Sequence, residues 1–282
     1  MQNKFFLYII AFLFFWAGTV AAEEFKTIKG NGYVITKEIP ISEYSQIKIG
    51  GYLSPENPRK PLSDTDYFSF HYSQNPQTKS TASFVIDIDE NLLPYLDVQI
   101  KNNELIINAK QDCRLLPTCL KINSQSSWLV KIGIEGSFLF SVLTELKSEN
   151  LEVLADGIAK VIFDKPVYVD AFCKMKIRGV ADVQATDFLC SDILVDTDDC
   201  GKLTLKGKAQ KGKYKARGDS RIHAYNFVTT NLDCNVTDAG EIRAQVSEVL
   251  NAKASAAGEL KYKGFPRTDI QTTDAGKIKR IK

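Results

Sequence analysis

The chain has 282 residues, with 36 Lys and Arg against 34 Asp and Glu, two histidines and six cysteines. A net charge of +2 gives no global steering towards nucleic acid, and the length suffices for one or two cored domains. Six cysteines this widely spread exclude a small disulfide-stapled module, and no Cys/His cluster has zinc-ligand spacing.

Lys4 precedes an apolar run, Phe5 to Val20, and Val20-Ala21-Ala22 supplies small residues before Glu23. This reads as a secretory signal over residues 1–22, and no second apolar run would make the mature chain span a membrane. Without Lys4 the remainder carries about +1. Gly30-Asn31-Gly32 marks a tight turn, after which Tyr33, Ile35, Ile39 and Ile41 share one face of an extended segment. Gln46–Ile49 alternates polar and apolar, and residues 53–66, with three prolines, read as a loop. Strands are expected at 67–72, 82–89, 96–100 and 104–109, the last two joined by a turn at Lys101-Asn102-Asn103. Cys113 and Cys119 flank a Leu-Leu-Pro turn, so a disulfide could close that loop. The best helical candidate is 141–148, too short to be stable alone.

Beyond Trp128 one phrase recurs: a glycine followed by a short alternating segment, as in DGIAKVIF, RGVADVQA, CGKLTLKG and AGEIRAQV. The first well-placed aliphatics are Leu139, Val161, Val183, Leu203, Ile222, Ile242, Leu260 and Ile278, separated by 22, 22, 20, 19, 20, 18 and 18 residues. A period of that size belongs to stacked supersecondary units. A second alternating strand per unit includes Ile193-Leu194-Val195, 213–216, 232–236 and 252–256, and its inward residues shrink towards Ala along the chain, so the coil should taper. Glycine recurs because each corner demands either a positive φ or close backbone approach. The reading is therefore all-β: residues 23–127 a β-rich N-terminal region and 128–282 a right-handed β-solenoid of parallel strands.

An exported start, the opening G-x-G-Y-V-I-T-K-E-I-P-I-S-E-Y-S-Q-I-K-I over Gly30 to Ile49, and glycine-led repeats from Gly136 to Ile278 resemble the head GIN domain family, found mainly in Bacteroidota. The family consists of proposed auto-transporter adhesins. The resemblance implies a β-solenoid in the periplasm, at the outer-membrane surface or outside the cell, with an adhesin-like role and no catalytic residues or cofactor to carry over. This sequence departs from the pattern by a longer insertion around Tyr52 to Asp66.

Charge is segregated along the repeats. Residues 182–199 hold six aspartates and no Lys or Arg, while 201–218 hold seven Lys or Arg and no acid, so an acidic layer should stack on a basic one. Within these stretches, Lys206, Lys208 and Lys213 are a candidate surface for an anionic glycan or another cell-surface component; ordinary outward lysines are the plainer explanation. Asp196, Asp198 and Asp199 offer the alternative of a carbohydrate-active β-helix enzyme or a calcium site, against which turn aspartates have a structural reason to exist. A purely structural envelope protein is a third possibility. Tyr67, Phe68, Tyr72 and Tyr225 could stack on sugars or be buried. His71 and His223 lack a nucleophile in any recognisable context, and Cys173 and Cys234 alternate with apolar neighbours as small core residues do.

Overall fold

The computed structural model describes residues 26–54, 68–77 and 81–282; the expected signal segment, most of the proline-rich loop and Tyr67 lie outside these. Nearly every described element is a strand, and about eight turns of parallel solenoid follow a β-rich N-terminal region.

Each full turn is one long strand bent twice. Where Lys202–Ala216 lies on Asp182–Thr197, the pairing divides into three segments: 202–205 on 182–185, 207–209 on 188–190, and 211–216 on 192–197. These define a first, second and third face. The second, only three residues long, carries too little alternation to be read as a strand. On the first face the aliphatic column is in register from Val161 through Val183, Leu203, Ile222, Ile242 and Leu260 to Ile278. Its first member is corrected: Phe140, not Leu139, pairs with Val161, because a period-2 strand turns its neighbour outward. The expected taper is not general on the third face: Val195 leads through the fully enclosed Tyr214 and Cys234 to Ala252, but Ile193 leads through Gly212 to Leu232 and Leu250, and Thr197 through Ala216 and Val236 to Ala254. Gly212 makes room for Leu232 and Thr229: a Cβ there would lie 2.9 Å from Leu232 Cδ1 and 3.0 Å from Thr229 Cγ2.

The corners explain the repeat. Gly136, Gly157, Gly179 and Gly218 have φ of +63° to +88°, and at the other corners the left-handed residue is Asp199, Asp238, Ala256 or Asp274. Two residues on stands a small residue: Ala159, Ala181, Gly201, Ser220, Gly240, Gly258 or Gly276. At this second position tightness rules. A Cβ on Gly258 would lie 2.7 Å from the Val236 carbonyl oxygen one turn below, and on Gly240 2.9 Å from that of Ala216. The repeating glycine of the sequence is thus two different positions of one corner. Corner amides bond to corner carbonyls a turn away: Cys200 to Gly179 and Ala257 to Asp238, at 2.9 and 2.8 Å.

The N-terminal region continues the stack. Gln46–Ile49 pairs parallel with both Glu104–Ala109 and Lys131–Gly136, and Phe68–Gln74 lies parallel between Leu120–Ser126 and Phe138–Val142. Phe70 stacks on Phe140 with ring centroids 5.1 Å apart, so one core runs across residues 127 and 128. Thr81–Asp89 is antiparallel to Leu120–Ser126 and to Val34–Glu38. The expected turn at Asn102-Asn103 has both residues at positive φ, as a tight two-residue hairpin requires. Residues 141–148 are not helical: Phe138–Val142 and Leu146–Gly157 are strands, since their apolar residues line the core at period two. The one helical segment described is a 3-10 stretch, Glu90–Tyr95.

Cys113 and Cys119 are not bridged, and all six cysteines are free. Instead of a turn, Cys113–Leu116 is a strand on Lys26–Lys29, and its extension carries the chain away from Cys113. Cys173 and Cys234 face the core.

The G-x-G opening closes around Asp89, which is fully enclosed. Its carboxylate accepts from Gly32 N (2.8 Å), Thr118 N (2.8 Å) and Thr118 Oγ1 (2.7 Å), and a Cβ on Gly30 would collide with it. Burial pushes this carboxyl's pKa up, but the hydrogen bonds from Thr118, Gly32 and Cys119 outweigh it and hold the group below the ordinary carboxylate value.

At one corner, Gly258→Ala lowers the free energy of unfolding by about 2 kcal/mol or more through the carbonyl clash, while Ala256→Gly shifts it by less than about 1 kcal/mol; urea unfolding of both variants checks the contrast. Asp89→Asn costs about 2 kcal/mol by turning an acceptor into a donor against amide N–H groups. Because the folded pKa is depressed, the Asp89 contribution is complete above the unfolded value near about 3.9 and is lost as pH falls through the folded value. The wild type should therefore lose stability in acid more steeply than Asp89→Asn, measured as unfolding midpoint against pH.

Candidate ligand-binding faces

The acidic and basic stretches do stack. Asp182 pairs with Lys202, Asp192 with Lys211 and Asp196 with Lys215 across adjacent turns. Lys206, Lys208 and Lys213 fall outside this matching. Lys208 sits between Leu189 and Val228, Lys213 between Leu194 and Asp233, and Lys206 beside Asn226. All three are exposed. They do not form one surface, however: Lys206 and Lys208 belong to the second-face side, whereas Lys213 projects from the third face.

Each of these two faces carries an open cleft. On the third face a cleft of about 370 Å³ runs over the column Lys213, Asp233, Asn251 and Asp269, flanked by Lys215 and Lys253. It is polar and largely self-satisfied, with Asn251 Nδ2 donating to Asp233 Oδ1 at 2.8 Å. On the second face a cleft of about 550 Å³ is lined by Tyr168, Leu189, Lys208 and Val228. Its floor is low because Gly207 and Ala209 are small. Gly207 has no alternative, since a Cβ there would collide with the Phe188 backbone. Tyr168, Leu189 and Val228 escape sequence reading because they meet only as a column, through the register of a three-residue face.

The aspartate candidates are occupied by structure. The Arg217 guanidinium donates to Asp198 Oδ2 from Nη2 at 2.9 Å and lies 3.2 Å from Asp196 Oδ1, an ionic contact without hydrogen-bond alignment. The Arg217 hydrogen bond holds the Asp198 carboxyl below its ordinary pKa, against the effect of burial. Asp199 is the left-handed corner residue, φ +57°, and its Oδ2 accepts from Gly179 N at 3.2 Å. Asp196 and Asp198 thus share a cation, and the lowered pKa of Asp198 is the opposite of what a general acid needs. Among the described residues no group of three or more His, Cys, Asp or Glu is placed to hold a metal ion.

His223 points outward between Ile222 and Ala224, with Nε2 4.0 Å from Glu241 Oε2; burial, then Arg243, lowers its pKa. Glu241 belongs to a surface network with Arg243 (2.7 Å) and Lys261 (3.5 Å). Phe68 and Tyr72 are buried and Tyr225 half-buried under Lys263, 5.2 Å from its ring, so none of these three offers a bare stacking face.

Solved structures share this architecture. A "putative lipid binding protein" from Parabacteroides distasonis is 25% identical at a TM-score of 0.79, covering 91% of this chain and 100% of its own. A "putative adhesin" from Parabacteroides merdae is 22% identical at 0.80, with the same coverage. A "putative adhesin" from Bacteroides fragilis is 21% identical at 0.64, covering 90% of this chain and all of its own. No curated protein matches the sequence. The family profile described as "putative auto-transporter adhesin, head GIN domain" matches residues 75–266, and with the solenoid and its glycine corners in place the chain belongs to that family.

Proposed function

We propose that this chain is an exported, non-catalytic scaffold that binds an anionic glycan or a comparable component of the cell envelope through the sides of its solenoid. The observation that carries this reading is the arrangement of outward columns, in register and supplied with Lys208 and Lys213, which face Leu189 and Leu194 of the preceding turn, and with Lys206 at the bend against Thr186 and Asp187. A β-solenoid offers such long lateral surfaces because every turn repeats the same outward positions about 4.8 Å apart. The family's adhesin description and the expected signal over residues 1–22 fit a role outside the cytoplasm. Among the described residues no helix is long and apolar enough to cross a membrane.

The reading is tested on an array of acidic polysaccharides and lipopolysaccharides, with the mature chain and a Lys206→Gln/Lys208→Gln/Lys213→Gln variant. At least one acidic glycan should be retained, its binding should weaken about tenfold or more in the variant, and it should weaken further as salt rises. Absence of any acidic ligand, or binding that the triple variant leaves unchanged, removes the proposal.

A further inference from the structure

The second-face cleft has a character that glycan binding by the lysines does not require. Its outward column across four successive turns is Tyr168, Leu189, Lys208 and Val228, flanked by Lys147, whose Nζ lies 5.7 Å over the Tyr168 ring, and by Gln245, so within the cleft Lys208 is one cation among three largely apolar side chains. On a solenoid face open to water, ordinary selection of outward residues would place polar groups here, as it does on the third face with Lys213, Asp233, Asn251 and Asp269. No ion pair or hydrogen bond from the described residues engages the Lys208 ammonium.

The shape of the cleft is also built. The strand Val167–Ile177 carries one more residue than its neighbour between the second and third faces, where the register shifts between Val169 and Phe172. The bulge pushes Asp170 and Ala171 out as a lip, and Ser191 Oγ donates to the Asp170 carbonyl at 2.6 Å, pinning it. Gly207 and Ala209 keep the floor low beside Phe188 and Phe227. A cleft of about 550 Å³ falls within the range for small organic ligands.

We infer that this second-face cleft binds a single-chain amphiphile with an anionic head, the phosphate or carboxylate on Lys208 and the alkyl chain along Tyr168, Leu189 and Val228. The charge selects the head and the apolar column selects the chain. An inorganic anion would satisfy only Lys208, and a neutral glycoside detergent only the apolar column. This site does not depend on glycan recognition: the amphiphile would occupy it whether or not the array finds a polysaccharide.

The test is titration of the mature chain with dodecyl phosphate below its micelle concentration, followed by calorimetry and by backbone amide NMR shifts. Inorganic phosphate, dodecyl maltoside and vesicles of anionic phospholipid serve as comparison arms. Dodecyl phosphate should bind saturably and shift amides at 189–191 and 207–210, while inorganic phosphate and dodecyl maltoside bind at least about tenfold more weakly. Lys208→Gln and, separately, Leu189→Ser/Val228→Ser should each lose about tenfold or more, with unfolding midpoints checked by circular dichroism to show that the fold is kept. Unchanged affinity in a folded Lys208→Gln, equal affinity for inorganic phosphate or dodecyl maltoside, shifts confined to other faces, or binding to vesicles alone would each overturn the inference.

Discussion

The structure depends on one requirement: after about 18 to 22 residues the chain must return to the same place one strand-spacing higher. Corner geometry meets it. A left-handed residue turns the chain, and a small residue two places on lets the next turn settle against a carbonyl below, as Gly240 does over Ala216 and Gly258 over Val236. The corner amides then bond from turn to turn, fixing the register of everything between corners. A one-residue slip would send Leu203 and Ile222 outward and draw lysines inward, so a few tight contacts protect the whole aliphatic column.

The same register organises the exterior. Side chains stacked at about 4.8 Å repel when like-charged, and the third face avoids this by alternating Lys131, Glu152 and Lys174. Lys174 reaches Glu152 at 2.6 Å, and Lys131 reaches Glu104 in the N-terminal region at 2.9 Å. Each such exposed pair is worth only about 0–1 kcal/mol, so their value lies in penalising a misaligned turn more than in raising stability. Asp182, Asp192 and Asp196 beneath Lys202, Lys211 and Lys215 follow the same rule. Lys208 stands outside this pairing, between Leu189 and Val228, as the charged member of the second-face cleft.

What could be read from sequence follows from these physics. Alternation over four or more residues, as in 202–205 or 232–236, is visible because it is local, and it disclosed the first and third faces and most of the hairpins. The three-residue second face has no local period and emerges only when turns are stacked, so Tyr168, Leu189 and Val228 stayed hidden as a group. The glycine phrase was legible as a repeat, but its two roles were not: Gly218 supplies a left-handed φ where Gly240 supplies clearance, and a sequence shows the same letter for both. Asp198 illustrates the reverse case. An aspartate cluster suggests chemistry until Arg217, a full turn away at a corner, is seen to neutralise it. The Cys113–Cys119 loop failed because a strand partner, Lys26–Lys29, lies far off in sequence.

The first and last described strands are built differently from the turns between them. At the N-terminal end the antiparallel strands Val34–Glu38 and Thr81–Asp89 interrupt the parallel ladder, locked by the enclosed Asp89. At the other end Arg267–Thr272 and Lys277–Arg280 pair on one side only, and their core positions turn partly polar, with Thr268, Thr272 and Arg280 in line with inward residues of the preceding turn. Arg280 covers Phe265, its guanidinium carbon 3.7 Å from the ring centroid, and Lys277 and Lys279 line the same edge. Lysines on an exposed edge discourage another strand from pairing there. Charge on this edge and the antiparallel pairing near Asp89 both oppose strand addition, so the proposed binding rests on the lateral faces, where side chains rather than free backbone groups would meet a ligand.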